Sequence, residues 1–332
     1  MNPKEVKELI NTAIESPEEM PPVFLEGPPG IGKSAIPLEV AEEAGIGFTD
    51  MRLVHKDPTD LRGIPVPRDG TAVWLPPSDL PASGRGILFL DELTSACPLV
   101  QAAAYQLTFD RKLGEYELPE GWYIIAAGNR IEDRAVVHRM SSALNNRFIH
   151  ISFEPSLDDW TEWALSVGID SNIISFLQFR PELLFQFNPE SSEKAFPSPR
   201  TWDFADRVIK TAGKEIMAEV LEGTIGRGAT AEFVAFLKVQ TELPDLKTIL
   251  DGENYVPERM DLKYALVSAL SAKANRDQFE RLLQYSSHLP EEFSVLMISM
   301  LIARDAKSVS DAPSWKKWAG SHSEVLINRE ML

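Results

Sequence analysis

The segment GPPGIGKS, Gly27 to Ser34, places two glycines, a lysine and a hydroxyl in the order G-x-x-x-x-G-K-[ST]. That spacing suits a polyphosphate. Gly27, Pro28, Pro29, Gly30, Ile31 and Gly32 supply a loop whose backbone N–H groups can approach anionic oxygens. Lys33 can neutralise β- and γ-phosphate charge, and the Ser34 hydroxyl can ligate Mg²⁺. The loop follows the strand pattern VFLE and precedes the helical pattern SAIPLEVAEEAG, so Ala35 falls in a helix N-terminus whose partial positive charge also favours an anion. Strand, loop and helix are the context the motif requires.

Three further sites have residues suited to act on a phosphate. ILFLDE, Ile87 to Glu92, is an apolar run whose first charges, Asp91 and Glu92, arrive together at its C-terminal end, where open α/β sheets place their ligands. Asp91 fits an acid associated with Mg²⁺, and Glu92 fits a base that polarises water; the pair would also suit a strand end meeting solvent. YIIAAGN ends an apolar run on Asn129, which can orient an attacking water or serve as an ordinary turn residue. PSPRTW places Ser198 at an N-cap, Pro199 at the first helical position and Arg200 in the first turn. A cation there opposes the helix dipole, so an anionic partner such as a nucleotide phosphate is the better explanation, with a surface ion pair as the competitor.

Positioning these residues requires a sheet. Short apolar runs, PVFLEG, FTDMRLVH, GILFLDE, WYIIAAGN and RFIHISF, alternate with helical patterns through the first half of the chain. This predicts βαβ units around a buried parallel sheet, an α/β fold. From about Glu154 the periodicity becomes helical, as in LDDWTEWALSVG, TWDFADRVIKTAGKEIMAEVLE and AEFVAFLKVQTEL, and Pro244 punctuates a further helical stretch. The expected organisation is a nucleotide-binding domain over 1–154, a helical lid domain over 155–243 and a helical C-terminal extension over 244–332. IPVPRDGTAVW and RKLGEYELPEGW read as β-hairpins. The longest apolar run, FSVLMISMLIA, is too short to cross a bilayer and reads as a buried helix.

Composition narrows the partners. The 332 residues carry a formal net charge of −17, so the bulk surface repels nucleic acid and anionic membranes, and neither is expected as a partner. One cysteine, Cys97, excludes an intrachain disulfide and a Cys-based zinc site, and a reducing cytoplasm is the expected setting. His55, His138 and His150 have no spaced partner for a metal and are read as structural. The absence of N-K-x-D favours ATP over GTP.

Taken together, these residues resemble the AAA+ ATPases, and within them the MoxR branch, which includes the gas-vesicle protein GvpN and the CbbQ/NorQ activators. The resemblance covers about residues 22–240. It implies a P-loop αβα sandwich followed by a helical lid, with Gly27–Ser34 as Walker A, Asp91 and Glu92 as Walker B, Asn129 as sensor 1 and Arg200 as sensor 2. Arg147, in the stretch SSALNNRF, matches the arginine finger that enters the neighbouring subunit's nucleotide site, with Arg139 and Arg134 as substitutes. The two hairpins correspond to insertions facing a pore or remodelling surface. Arg130 departs from the pattern, since MoxR proteins often carry proline after the sensor Asn, which leaves open whether Arg130 or Asn129 meets nucleotide. The resemblance further implies a homo-oligomeric ring, a hexamer, that couples Mg²⁺-dependent ATP hydrolysis to remodelling or activating a client protein, often one linked to a von Willebrand factor A-like protein. A nucleic-acid motor or clamp loader, and a nucleotide switch that binds ATP without hydrolysis, are the alternatives.

Overall fold

The computed structural model describes residues 1–133, 138–213 and 215–323. The chain divides into two compact units, one of Met1–Ser156 with Asn188–Ser191, the other of Leu157–Phe187 with Ser192–Leu332.

In the first unit, helix α1 (Pro3–Glu15) begins at a capping box in which Asn2 and Glu5 satisfy each other's backbone N–H, with Pro3 at the first helical position. Strands β1 (Val23–Glu26) and β2 (Gly47–Arg52) flank helix α2 (Ala35–Glu43) in sequence. After helix α3 (Pro58–Arg62) come β3 (Ile64–Arg68) and β4 (Thr71–Leu75), then β5 (Arg85–Asp91), helix α4 (Pro98–Asp110), the two-residue strands β6 (Lys112–Leu113) and β7 (Tyr116–Glu117), and β8 (Gly121–Gly128). A one-turn helix α5 (Ser142–Asn145) leads into β9 (Ile149–Ser152).

The five apolar runs form one sheet in the order β2-β5-β8-β1-β9, with every neighbouring pair parallel. Its central strands are buried on both faces: Ile87 to Leu90 of β5 have no solvent exposure, and Tyr123 to Ala127 of β8 have 2% or less. A strand covered on both sides must be apolar at every position, which is why these runs do not alternate. β1 lies between β8 and β9, so the chain reverses its direction of winding there, and the loop after β1 opens at the C-terminal edge of the sheet.

Both expected hairpins are present. β3 and β4 pair antiparallel around Asp69 and Gly70, whose φ values of 52° and 80° match the left-handed pair a tight two-residue turn needs. The second hairpin is limited to the two-residue ladder of β6 and β7.

The second unit is helical: α6 (Leu157–Val167), α7 (Ser171–Phe179), α8 (Pro199–Thr211), α9 (Met217–Ile225), α10 (Arg227–Val239), α11 (Leu246–Leu250), α12 (Met260–Lys273), α13 (Phe279–Ser286), α14 (Glu291–Ser310) and α15 (Trp315–Ser321). One apolar core runs through it from Trp160 to Trp318. Trp202 is fully buried against Phe176 and Phe233 and donates its indole N–H to Leu183 O at 2.8 Å, so its polar atom is satisfied. The apolar run near the C-terminus forms the buried part of α14, from Phe293 to Leu301. The long periodic stretch from Thr201 to Glu222 is two helices, because α8 ends at Thr211, where Ala212 turns to an extended backbone, and α9 starts at Met217. No described helix is long and apolar enough to cross a membrane.

Candidate phosphate-binding site

Three chain segments meet at the C-terminal edge of the sheet, and hydrogen bonds join them. Gly27 N–H donates to Gly128 O at 3.4 Å, and Leu93 N–H donates to Ala127 O at 2.9 Å. The Thr94 hydroxyl donates to Asn129 O at 3.3 Å. The exits of β1, β5 and β8 are thereby held together.

Glycine is required here for reasons of space as well as conformation. A Cβ at Gly27 would lie 2.6 Å from Phe153 O, and one at Gly128 would lie 2.6 Å from the Thr94 hydroxyl and 2.8 Å from the Phe24 ring. Gly30 and Gly32 hold φ values of 83° and 104°, which a side chain would strain. Past the loop, Ser34 leads into α2 and its hydroxyl makes no capping bond, while Gly32 O accepts the first N–H groups from Ala35 and Ile36. Pro37 falls in the first turn, where a missing N–H costs nothing.

The Lys33 ammonium donates to Gly27 O at 2.6 Å, Pro28 O at 2.8 Å and Asn129 Oδ1 at 2.9 Å. The structure therefore brings the loop lysine and Asn129, 96 positions apart, into direct contact. Arg130 points elsewhere: its guanidinium donates to the Ser152 hydroxyl at 2.5 Å and lies 3.9 Å from Glu154. Of these two neighbours, Asn129 is the one whose side chain meets the loop.

Asp91 ends β5, half-buried, and accepts the Glu92 backbone N–H at 2.9 Å. Burial pushes its carboxyl above the ordinary value; the Glu92 N–H pulls it down, the Asp50 and Glu92 charges raise it, and Lys33 lowers it. A carboxylate in that field is short of positive charge, which a divalent cation would supply. The Asp91 carboxylate and the Ser34 hydroxyl are oxygen donors of the kind Mg²⁺ takes. Glu92 adopts φ 55°, a left-handed conformation that costs an L-residue energy, and it is the residue expected to act as base.

Arg147 lies between α5 and β9. Its guanidinium carbon sits 3.6 Å from the Tyr105 ring centroid and 4.3 Å from that of Phe109, both on α4. Arg139 is exposed, and Arg134 lies outside the described residues. Arg200 is exposed in the first turn of α8, after the expected cap in which the Ser198 hydroxyl accepts from Thr201 N–H. Nothing in the motifs singles out Thr94, Tyr105 or Phe109. The spacing of Tyr105 and Phe109, four apart on one helix, was the available signal for an aromatic pair on one face.

No curated protein matches the sequence. Among solved structures, the chain is similar to a point mutant of RuvB from Thermotoga maritima, with 16% identity, coverage of 88% of this chain and 86% of that one, and a TM-score of 0.41. A putative ATPase from Cytophaga hutchinsonii gives 13% identity, coverage of 98% and 88%, and a TM-score of 0.38. NtrX from Brucella abortus in complex with ADP gives 15% identity, coverage of 98% and 68%, and a TM-score of 0.36. Residues 22–148 match the family model of the AAA domain, dynein-related subfamily. The matched stretch holds the glycine-rich loop, Asp91, Glu92, Asn129 and Arg147.

Proposed function

We propose that the chain binds and hydrolyses ATP at the loop Gly27–Ala35, as one subunit of a MoxR-type AAA+ ring that remodels or activates a partner protein. The observation that carries this reading is the contact of Lys33 with Asn129 at the sheet edge where Asp91 and Glu92 emerge. A phosphate at this loop would replace neutral acceptors on Lys33 with charged ones, and charge-assisted bonds are about twice as strong. Asn129, freed from the lysine, can then orient a water, and Glu92 can take its proton. Ser34 and Asp91 would hold Mg²⁺, which when bound offsets the charge of the β- and γ-phosphates.

The remaining assignments extend the same reading. Residues 1–154 act as the nucleotide domain, 155–243 as the lid domain that carries Arg200 as sensor 2, and 244–332 as an extension. Arg147 serves the nucleotide of the next subunit in a hexameric ring. The client is a protein of the kind linked to von Willebrand factor A-like domains, and the setting is the cytoplasm. A net charge of −17 argues against a role as a nucleic-acid motor.

The test is phosphate release by the purified chain with ATP or GTP, in Mg²⁺ or in EDTA. Release that needs Mg²⁺ and ATP, and that Lys33→Ala abolishes, supports the proposal. Binding of ATP without release would make the protein a nucleotide switch instead.

A further inference from the structure

Arg147 is held in place within its own chain. Tyr105 and Phe109 present their rings to its guanidinium at 3.6 and 4.3 Å, and its Nη1 donates to Ala143 O at 2.9 Å. Its Nε is buried with no hydrogen-bond partner among the described residues. An arginine reaching into water would keep that hydrogen bond, so the stack must offset its loss. Phe109 is 66% exposed, so burial of its own surface does not account for a large aromatic residue there. Stacking occupies the faces of a guanidinium and leaves edge N–H donors for an anion, while it removes much of the rotamer freedom of a long side chain.

We infer that Tyr105 and Phe109 are positioning residues for Arg147, holding its guanidinium ready for the phosphate of a neighbouring copy of the chain. This rests on the reading of Arg147 as a finger acting in trans. The two rings belong to the finger-donating side of a subunit, and the guanidinium they hold is that of Arg147, outside the loop from Gly27 to Ala35. Losing them should therefore damage the chain as a donor of the finger and leave it intact as an acceptor.

The experiment uses the full chain with Phe109→Ala, Tyr105→Leu and the ring-preserving Phe109→Tyr. Phe109→Ala and Tyr105→Leu should lower kcat about 10- to 100-fold, as expected for a misplaced group, with ATP affinity and melting temperature unchanged. Phe109→Tyr should retain the parental rate. Mixing Phe109→Ala with Glu92→Gln should restore turnover, because the second chain lends an intact finger to the first chain's intact base. Mixing Phe109→Ala with Arg147→Ala should not. A parental rate in Phe109→Ala and Tyr105→Leu, with Arg147→Ala inactive, would overturn the positioning role and leave the finger standing. Failure of Phe109→Ala to be rescued by Glu92→Gln, where Arg147→Ala is rescued, would also overturn it. A parental rate in Arg147→Ala would remove both. If Tyr105→Leu fails to fold, the exposed Phe109 carries the test alone.

Discussion

Under the proposed reading, Lys33 holds an anion and Glu92 moves a proton. Lys33 reaches back across its own loop to carbonyls and to Asn129. Glu92 is set at φ 55°, a strain that a residue chosen for stability alone would avoid. Lys33→Ala should weaken ATP binding by about 1.5–3 kcal/mol, roughly 10- to 150-fold, the usual worth of hydrogen bonds to a charged group. Isothermal calorimetry reads that directly. Glu92→Gln should bind ATP as the parent does while turnover falls about 10²- to 10⁴-fold, because an amide cannot accept the proton. Calorimetry alongside phosphate release separates the two effects, and parental turnover in Glu92→Gln would remove it from the role of base. The glycine-lysine spacing and the Asp91-Glu92 pair were legible as residues because their chemistry is local. The Lys33–Asn129 contact was not, since only the sheet order brings positions 96 apart together.

At the scale of elements, the sheet was readable because strands buried on both faces must be apolar throughout, as in Ile87–Leu90, and the charge that ends such a run marks its mouth. The hairpin at Asp69-Gly70 was readable for a similar reason, because two left-handed residues in succession narrow the sequence choices. Periodicity was less informative at the break between α8 and α9, where an apolar stripe continues on both sides of Gly213. It could not anticipate the seat of Arg147 either, because Tyr105 and Phe109 look like any i, i+4 pair on a helix. The junction of β8 with the site gives a prediction at this scale. Gly128→Ala puts a methyl 2.6 Å from the Thr94 hydroxyl and 2.8 Å from Phe24, so it should cost about 1–3 kcal/mol of folding stability by overpacking. Urea unfolding should show a lower midpoint with an unchanged slope, and an unaltered midpoint would mean that the β1, β5 and β8 exits can shift without cost.

In the whole molecule, the phosphate-binding loop and Arg147 of one chain act at different nucleotide sites under the proposed reading, so assembly and nucleotide depend on each other. A ligand that contacts two chains binds the assembled state more tightly than the separated one, and ATP or a non-hydrolysable analogue should therefore raise the oligomer mass at a fixed protein concentration. Light scattering across a dilution series measures this, and a strict monomer with bound nucleotide and full turnover would exclude a ring. The central claim, that one active site is built from two copies, is tested most directly by mixing Arg147→Ala with Glu92→Gln. Each alone should be inactive, since loss of an arginine finger costs about 10³- to 10⁵-fold in rate and loss of the base about 10²- to 10⁴-fold. A head-to-tail interface pairs one face of each subunit with the opposite face of the next, so roughly a quarter of interfaces in a random equimolar mixture should unite an intact Glu92 with an intact Arg147. Turnover should return on mixing, with subunit exchange followed by fluorescence. Exchange without any return of turnover, while Arg139→Ala mixed with Glu92→Gln does recover it, would contradict the account and move the finger to Arg139.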